Sequence, residues 1–353
     1  MGDRTSKKGM KTQYKYSLIF IAIAFIALNK LSAQDSVADN MLLYQRSVGG
    51  WPKHIGEQRI DYRKKLSPGE QAGLMDDKYR NDATIDNDAT SKELRYLVKA
   101  YKQTKNEKYL NAVEKGIRYL LGMQDEQGGW PQFFPDTSLY RSEITYNDNA
   151  MINAMNVLWD VVHKTNDFDI VDPSLIKPSQ KAIDAGIKCI LETQIKVNGK
   201  LTVWCAQYDH KTLQPAKARS YELISLSGDE SVGIVEFLMK IEKPSAEIKN
   251  AITSAVEWFQ RSRIDGYKYM DIQDPSQPNG RDRVLVPDPN STVWARFYDI
   301  DTNKPFFSGR DGIKKWSVTE IENERRTGYG WYGTWPKNLL EKQFPEWQKK
   351  NLE

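Results

Sequence analysis

The segment that decides the fold is residues 93–133, "ELRYLVKAYKQTKNEKYLNAVEKGIRYLLGMQDEQGGWPQF". From Leu94 to Tyr101 the apolar residues recur at intervals of three and four, which predicts an amphipathic helix over residues 91–104. After a short polar break, the same spacing from Tyr109 to Leu120 predicts a second helix that ends near residue 121. A loop with Gly, Trp and Pro then ends the regular pattern. The segment is therefore predicted to be a helical hairpin followed by a glycine-aromatic loop.

Two further hairpins of the same kind follow along the chain. In the second, the apolar spacing of Met151–Val162 predicts the first helix, and the apolar residues of Ile183–Leu191 share one face of its partner. In the third, the helices are predicted over Val232–Lys240 and Ile248–Ser262. Each of these hairpins is also followed by a predicted loop with Gly and aromatic residues, "KVNGKLTVWCAQYD" and "RIDGYKYMDI".

Three hairpins that each bury only one face must stack on one another or close into a ring. The predicted fold is therefore dominated by α-helices arranged as an α/α toroid, with its loops gathered at one end. Residues 34–83 and 264–353 are rich in Gly, Pro, Tyr and Trp, and we expect them to wrap the toroid as short strands and long irregular loops. No break in composition marks a second domain, so residues 34–353 are predicted to form one domain.

Residues 1–33 have the features of a secretory signal peptide. Basic residues precede an apolar run from Leu18 to Leu28, and small residues at Ser32 and Ala33 follow, so cleavage is expected after Ala33. The apolar run is shorter than the roughly 20 residues that a membrane span needs. An uncleaved anchor is the alternative. The mature protein is thus expected to be secreted or periplasmic, without stable membrane association.

Cleavage of this segment changes the charge of the protein. The whole chain has a formal net charge of +4 at pH 7. Residues 1–33 hold six basic residues against one acidic residue, so the mature chain has a net charge of about −1 and nucleic acid is not predicted as a partner. Cys189 and Cys205 are too few for a disulfide framework or a zinc site. We interpret them as structural, although they could pair in an oxidising compartment.

Three consecutive residues with side-chain oxygens precede the first helix of each of the first two hairpins. These triplets are Asp86-Asn87-Asp88 in "TIDNDATSKEL" and Asn147-Asp148-Asn149 in "TYNDNAMINAM". An Asp or Asn in this place commonly caps a helix by accepting hydrogen bonds from its first N–H groups. Carboxylates and amides are also the oxygen donors that Ca²⁺ prefers. Capping and a calcium site assembled from separate segments both remain open.

Arginines among aromatic residues favour an acidic ligand. "PAKARSYELISLSGDES" has Lys217 and Arg219 in a predicted loop before the third hairpin, and "WARFYDIDTNKPFFSGRDG" has Arg296 and Arg310 in loop-like sequence. Arginine binds carboxylates in a bidentate geometry. A surface ion pair would explain any one of these residues by itself. Together with the acidic triplets, they indicate an acidic ligand bridged by a divalent cation.

These motifs resemble those of the pectate lyases of polysaccharide lyase family 10. The resemblance covers most of the mature chain, and its motifs occur in the same order. They are "GGWPKHI", "TIDNDAT", "GMQDEQGGWPQFFP", "TYNDNAM", "TVWCAQYD", "PAKARSYEL", "SGDES", "WARFYDIDTNKPFFSGRDG" and "GYGWYGTWP". The resemblance implies an (α/α)₃ toroid and calcium-assisted β-elimination of polygalacturonate (pectate), which gives 4,5-unsaturated oligogalacturonates.

The resemblance also implies roles for individual residues. Asp86 and Asp148 correspond to calcium-binding acids, Arg219 to the Brønsted base, and Arg296, Arg310 and, with less support, Lys217 to contacts with substrate carboxylates. Calcium and arginine on the uronate carboxylate would stabilise the negative charge that builds up when the adjacent C5 proton is removed. The cofactor is therefore expected to be Ca²⁺, and the protein is expected to act as a monomer.

Two features of this site need attention. Guanidinium groups keep their proton in proteins, with a pKa above about 12, so Arg219 would need nearby cations to lose it, and we predict an alkaline rate optimum. Asn149 stands where family members more often have an Asp. Because calcium affinity depends on ligand charge, binding is expected to be weaker or to rely more on substrate, unless Asp88 compensates.

Three other functions compete with this one. A glycoside hydrolase on an α/α toroid would use Asp86 and Asp148 as two carboxylates roughly 5 to 9.5 Å apart, without calcium. A prenyl cyclase is suggested by "QDEQGGWPQ" (residues 124–132), which resembles the Gln-Trp repeat of those toroids, although the arginines disfavour a hydrocarbon substrate. The third is a non-catalytic pectin-binding protein.

Overall fold

The computed structural model describes residues 35–352, so the predicted signal peptide lies outside the described residues. All six helices of the three predicted hairpins are present, with bounds close to the predicted ones. The helices of the described residues are α1 Ser36–Tyr44, α2 Pro68–Asp76, α3 Ser91–Thr104, α4 Glu107–Gly122, α5 Ala150–His163, α6 Ile176–Thr193, α7 Glu230–Met239, α8 Ala246–Arg261, α9 Asn323–Gly328 and α10 Phe344–Asn351. None of these helices is long and apolar enough to cross a membrane.

The three hairpins are α3 with α4, α5 with α6, and α7 with α8. Their first helices contact one another in the order α3, α5, α7, and their second helices in the order α4, α6, α8. The faces between these two layers form one continuous apolar core, to which Leu97, Met155 and Ile234 belong. Burial of such a side chain stabilises the fold by roughly 1.5 to 3 kcal/mol. The predicted (α/α)₃ toroid is confirmed.

A repeated Gln–Trp pair fixes the loop that follows α1, α4 and α6. In each copy the Gln amide donates to a carbonyl of the loop and to a carbonyl of the next second-layer helix, while the Trp indole donates back to a carbonyl near the end of the preceding helix. The pairs are Gln45 with Trp51, Gln124 with Trp130 and Gln194 with Trp204. The motif that suggested a prenyl cyclase is therefore a structural link between repeats.

The close approach in this link depends on glycine. Gly128 has φ +86°, and a Cβ atom added to it would lie 2.3 Å from the carbonyl oxygen of Ala185 on α6. A side chain at this position would therefore force the loop away from the helix and break the link. The same Gln–Trp link follows α1, a helix that the sequence pattern did not predict. The repeat therefore begins earlier in the chain than the pattern indicated.

Most of the strands are two residues long and pair one loop segment with another. They are β1 His54–Ile55, β2 Gln58–Arg59, β3 Ile144–Thr145, β4 Lys196–Val197, β5 Lys200–Leu201, β6 Gln207–Tyr208, β7 Pro215–Ala216, β8 Leu226–Ser227, β9 Ile264–Gln273, β10 Arg281–Ala295, β11 Phe297–Tyr298, β12 Phe307–Ser308, β13 Lys314–Lys315 and β14 Tyr332–Gly333. Strand β8 pairs antiparallel with β11. This pairing places the residues before α7 beside those that flank Arg296.

One expectation about the loops is wrong. Residues 263–272 were predicted to be a loop, but most of them form β9, which pairs antiparallel with β10 from Ile264 opposite Val293 out to Gln273 opposite Arg281. The sequence signal is weak because this hairpin has no fully buried face. Both Tyr267 and Met270 are about 40 % exposed, so polar and apolar residues do not alternate strictly along the strand.

The two cysteines are both buried, and neither forms a disulfide in the structure. Cys189 lies on α6, and Cys205 lies in the loop just before β6. Burial raises the pKa of the Cys189 thiol to about 12, so this group stays protonated and unreactive at neutral pH.

Candidate active site

The two oxygen-rich triplets form short 3₁₀ turns, Asp86–Asp88 before α3 and Asn147–Asn149 before α5. Neither triplet caps the helix that follows it. The residues at the N-cap positions are Thr90 and Asn149, and neither side chain accepts a hydrogen bond from the first turn. The capping interpretation is therefore wrong for both helices, and these side chains need another explanation.

The backbone of both turns adopts the left-handed conformation that L-residues usually avoid. The φ angle is +48° at Asn87, +52° at Asp148 and +58° at Asn149. Asn and Asp tolerate this conformation better than other residues with side chains, but it still costs free energy. Such strain persists where the surrounding structure enforces it, and it is concentrated at functional sites.

The turns bring the two predicted calcium-binding acids together. The side-chain amide nitrogen of Asn87 lies 2.9 Å from Asp86 Oδ1 and 3.2 Å from Asp148 Oδ2. Both carboxylates are thus within hydrogen-bonding reach of one nitrogen atom. Lys53 forms an ion pair with Asp86, so a cation already faces this side of the pair.

A cavity of about 440 Å³ opens over these carboxylates. It is lined by Lys53, His54, Asp86, Asn87, Gln132, Phe133, Tyr140, Arg141, Asn147, Asp148, Gln207, Arg219, Glu222, Arg296, Gly328, Tyr329 and Gly330. Four predicted site residues, Asp86, Asp148, Arg219 and Arg296, therefore line one cavity. Its walls carry both signs of charge, which suits an anionic ligand held together with a cation.

Arg296 lies deepest among the cationic residues of this cavity. Its side chain is 8 % exposed, and its guanidinium contacts Asp148 at 3.3 Å, Asp229 at 3.3 Å and Glu230. Burial lowers the pKa of Arg296, but the surrounding carboxylates, Glu230 foremost, outweigh it and the net direction is upward. Arg296 is therefore a fixed positive charge that joins the turn before α5 to the start of α7.

Burial has the opposite consequence for the neighbouring carboxylates. The pKa of Asp148 is raised mainly because the group is desolvated, although Arg296 opposes the shift. Burial and the nearby Glu230 carboxylate likewise raise the pKa of Asp229. Three carboxylates around one guanidinium leave an excess of negative charge, which favours an additional cation beside Asp148.

Arg219 stands at the rim of the cavity and is 43 % exposed. Its Nε and Nη2 atoms both donate to the carboxylate of Glu222, with a distance of 2.8 Å from Nε. Burial lowers the pKa of Arg219, but this ion pair raises it by more, so the net pKa lies above its ordinary value. The expectation that neighbouring cations would help Arg219 to lose its proton is opposed by Glu222 in this structure.

Arg310 and Lys217 are not among the residues that line the cavity. Arg310 is 64 % exposed and pairs with Glu324 at 2.9 Å. Glu324 also pairs with Arg325, whose guanidinium lies 4.7 Å from the centre of the Tyr221 ring. Arg310 therefore lies near the rim without entering the cavity, and Lys217 is exposed on the same loop as Arg219.

Asn149 and Asp88 also lie outside the lining of the cavity. The Oδ1 atom of Asn149 packs against Gly233 on α7, where an added Cβ atom would lie 2.1 Å away. Asp88 accepts a hydrogen bond of 2.8 Å from Asn153 on α5. The Asn at position 149 therefore does not lower the negative charge of the cavity wall, because its side chain does not line the cavity. Asp88 does not line the cavity either, so it adds no charge there.

Sequence reasoning gave no role to several residues of the cavity. Lys53, Glu222 and Tyr329 line it in this structure, and Glu230 holds Arg296. Each lies within a motif that carried the family resemblance, "GGWPKHI", "PAKARSYEL", "GYGWYGTWP" or "SGDES". The motifs pointed to these segments, but only the fold shows which of their side chains face one another.

The residues present fit a calcium ion. Asp86 and Asp148 supply carboxylate oxygens, which are hard donors. Asn87 and Asn147 direct their amide nitrogens at these carboxylates in the structure, so their amide oxygens would join a metal ion only after the side chains rotate. Within residues 35–352 no group of three or more His, Cys, Asp or Glu side chains could hold a metal. The protein would therefore provide only part of the coordination sphere, which leaves room for water or ligand oxygens.

Comparison with known proteins shows the family to which the chain is similar. The family model described as pectic acid lyase matches residues 45–340. A solved structure of a family 10 polysaccharide lyase from Cellvibrio cellulosa is 39 % identical, with a TM-score of 0.77, over 88 % of this chain and 91 % of that chain. The comparison with curated proteins gave no match.

A second similar structure is a complex with a ligand. It is an aspartate-to-alanine mutant of the Cellvibrio cellulosa family 10 lyase in complex with trigalacturonic acid. It is 38 % identical, with a TM-score of 0.77, over 90 % of this chain and 95 % of that chain. Since the family model spans most of the chain and the fold agrees, this chain belongs to the pectic acid lyase family and is a polysaccharide lyase of family 10.

Proposed function

We propose that this protein cleaves α-1,4-polygalacturonate by calcium-assisted β-elimination and leaves 4,5-unsaturated oligogalacturonates. The observation that carries the proposal is the cavity in which Asp86 and Asp148 face Arg219 and Arg296. The trigalacturonic acid complex of the Cellvibrio enzyme supports the same substrate class. A polyanion of uronates matches a site that combines cationic side chains with carboxylates for a bridging metal ion.

Asp86 and Asp148 would hold the calcium ion, together with amide oxygens of the same two turns. When bound, Ca²⁺ supplies positive charge to the substrate carboxylate and so makes the adjacent C5 proton more acidic. The protein prepares this place by holding both turns in a strained backbone conformation. Lys53 and Arg296 pair with these carboxylates, so their contacts are expected to rearrange when the metal and the uronate enter.

Arg219 is proposed as the base that removes the C5 proton. The C5–H bond breaks, its electron pair forms the C4–C5 double bond, and the C4–O bond breaks with its electrons on the leaving oxygen. The leaving oxygen takes a proton from water, and Arg219 later returns the C5 proton to solvent. Arg296 supplies fixed positive charge at the bottom of the cavity, where it stabilises the enolate-like charge as it forms.

Arg310 and Lys217 are proposed to contact uronates farther along the bound chain. Both are exposed, and the loop of Arg310 approaches the rim, because an added Cβ atom on Gly312 would lie 3.2 Å from the carbonyl oxygen of Ser220. Arg310 itself pairs with Glu324. Exchange of the Glu324 carboxylate for a substrate carboxylate would keep the guanidinium paired. Such a contact adds binding to an extended substrate, and it has little part in proton transfer.

The proposed setting follows from the sequence. We propose that residues 1–33 direct the chain out of the cytoplasm and that residues 34–353 act as one catalytic domain, as a monomer. The apolar core supports a single domain, because it includes residues from Ala38 on α1 to Trp347 on α10. Pectate is a polymer of plant cell walls, so a secreted or periplasmic enzyme would meet it or its fragments.

The proposal is tested by incubating the predicted mature protein, residues 34–353, with polygalacturonate and Ca²⁺. Unsaturated uronides absorb at about 230–235 nm, so the absorbance is expected to rise, and to stop rising when EDTA is added. Release of reducing ends without this absorbance, insensitive to EDTA, would instead identify a glycoside hydrolase. Binding to polygalacturonate without either product would identify a pectin-binding protein.

A further inference from the structure

Glu222 has no role in the proposed reaction so far, yet it is the closest partner of Arg219. Its side chain is 3 % exposed. It accepts hydrogen bonds from Arg219 Nε at 2.8 Å, from the Arg219 backbone N–H at 3.1 Å, from Arg219 Nη2, and from the hydroxyl of Tyr329 at 3.0 Å. Four donors on one buried carboxylate fix its position, and through it the position of the guanidinium.

The plane of the guanidinium is fixed as well. The central carbon of Arg219 lies 4.9 Å from the centre of the Tyr221 ring and 5.9 Å from the centre of the Tyr329 ring. Because Tyr329 also donates to Glu222, one side chain holds both the ring contact and the carboxylate. A bidentate ion pair against aromatic rings is a rigid arrangement for an otherwise flexible arginine.

These contacts leave one nitrogen of Arg219 available. Nε and Nη2 are both occupied by Glu222, whereas no residue of the described chain accepts a hydrogen bond from Nη1. Arg219 lines the cavity that also holds Asp86 and Asp148. Nη1 is thus the nitrogen that remains to meet a ligand.

We infer that Glu222 is a positioning residue, which directs Nη1 of Arg219 toward C5 of the uronate. This inference rests on the proposed lyase function. In the step, a new N–H bond forms at Nη1 as the C5–H bond breaks, the C4–O bond to the leaving sugar breaks, and water protonates the leaving oxygen. Glu222 itself neither takes nor gives a proton, because Nε–H and Nη2–H stay bonded to it.

The same carboxylate affects the pH dependence of the reaction. The ionisable and charged groups around Arg219 are Glu222, Tyr221 and Tyr329, with Tyr140 and Arg325 beyond them. Glu222 contributes the negative charge that favours the protonated guanidinium. Glu222 therefore improves the geometry of the base and also shifts its action toward higher pH. Removal of the Glu222 charge should therefore change both kcat and the pH dependence of the reaction, whereas removal of a purely structural carboxylate should leave the pH dependence unchanged.

The test compares two variants, E222D and E222Q, with the wild-type protein in the 235 nm assay over a range of pH. E222D keeps the charge but withdraws the carboxylate, so kcat is expected to fall about 100-fold, as for an angstrom-scale misplacement, with KM nearly unchanged and the pH profile unmoved. E222Q is expected to lower kcat and to move the alkaline rise of kcat/KM to lower pH, because the negative charge is gone.

A matched control exists on the β9–β10 hairpin. Arg283 makes a bidentate pair with Asp271, at 2.8 and 2.9 Å, beside the ring of Tyr269. D271N breaks the same kind of contact between residues that do not line the cavity, and it is expected to leave kcat and the pH profile as in the wild type. Melting temperatures show which variants fold, and the expected fall in kcat of E222D still tests the proposal if E222Q does not fold.

The outcomes separate the two proposals. A wild-type protein that forms no 235 nm product would overturn the lyase function itself. If the wild type is active while E222D and E222Q both keep kcat within about threefold and superimposable pH profiles, only the role of Glu222 is overturned. A large fall in kcat for E222D, together with an acid-shifted profile for E222Q and an unaffected D271N, supports it.

Discussion

Arg219 and Arg296 line the same cavity but are held in opposite ways. Arg296 is 8 % exposed and contacts three carboxylates from two segments, whereas Arg219 is 43 % exposed and pairs with the single carboxylate of Glu222. The buried arginine holds the walls of the cavity together and supplies a fixed charge. The arginine at the rim keeps one nitrogen available for a ligand. We therefore predict that these two arginines, 77 positions apart in the sequence, differ in their main role: Arg296 chiefly stabilises the walls of the cavity, and Arg219 takes part in proton transfer.

The largest effect expected from this contrast is on turnover. R219K keeps a positive charge but removes the bidentate contact and the available Nη1 atom, so kcat is expected to fall on the order of 10³-fold with the melting temperature nearly unchanged. Steady-state kinetics at 235 nm and thermal unfolding measure the two quantities. A variant that retains a tenth of the wild-type kcat would place the base elsewhere.

For the buried Arg296, we expect substitution to affect the stability of the protein most strongly. R296M leaves Asp148, Asp229 and Glu230 without their cation, so the free energy of unfolding is expected to fall by about 3 to 5 kcal/mol. Chemical denaturation measures this change. R310M is the matched control, because its pair with Glu324 is exposed and should contribute at most about 1 kcal/mol. Equal losses in both variants would contradict the assignment of Arg296 as the structural arginine.

A buried carboxylate without a guanidinium partner sharpens the comparison. Glu93 on α3 is fully buried, and burial raises its pKa from 4.5 to about 7, although Lys92 opposes the shift. Because the folded pKa exceeds the unfolded pKa, this group supports folding below about pH 4.5 and destabilises the protein as the pH rises through 7. Relative to the wild type, E93Q is expected to gain roughly 2 to 3 kcal/mol of stability between pH 4 and pH 9.

Unfolding experiments over a range of pH test whether ionisation of Glu93 causes this difference in stability. The predicted difference between E93Q and the wild type grows with pH, since only the carboxylic acid ionises. Tyr62 donates a 2.8 Å hydrogen bond to Glu93, and the amide oxygen of a Gln could accept it as well. A difference in stability that stays constant with pH would show that the substitution acts through packing and not through ionisation.

The smallest effect is expected at the outer rim. R310A should raise KM for long polygalacturonate by about tenfold or less and leave kcat nearly unchanged, because Arg310 lies outside the cavity and would only contribute binding. The effect should vanish with a substrate too short to reach it. A loss in kcat comparable to that of R219K would mean that Arg310 enters the site when substrate binds.

The sequence predicted the helical part of the fold well, because amphipathic spacing reports directly on buried faces. The six helices of the hairpins appear near their predicted positions, and "QDEQGGWPQ" marks a true repeat unit. The helices α1, α2, α9 and α10 and the long β9–β10 hairpin were not predicted. Their apolar patterns are short or half-exposed, so amphipathic spacing gives little signal for them.

The site was predicted in part for a similar reason. Asp86 and Asp148 share an unusual local motif, and Arg219 and Arg296 stand among aromatic residues in predicted loops, so each could be singled out, while the family resemblance added the roles expected of them. What could not be predicted were the partners, since the pairing of Arg296 with Glu230 spans 66 residues and depends on the β8–β11 strand pair. The capping alternative was also undecidable before the backbone conformation of the two turns was known.

The most direct test of this account is the dependence of kcat/KM on pH for the wild-type protein, measured with saturating calcium over a range of polygalacturonate concentrations. A base with a pKa raised by Glu222 is deprotonated only in a small fraction at neutral pH. We therefore expect kcat/KM to rise by about tenfold per pH unit from pH 7 toward pH 10 without a plateau. A profile that is flat, or that is highest in acid, would contradict a guanidinium group as the base.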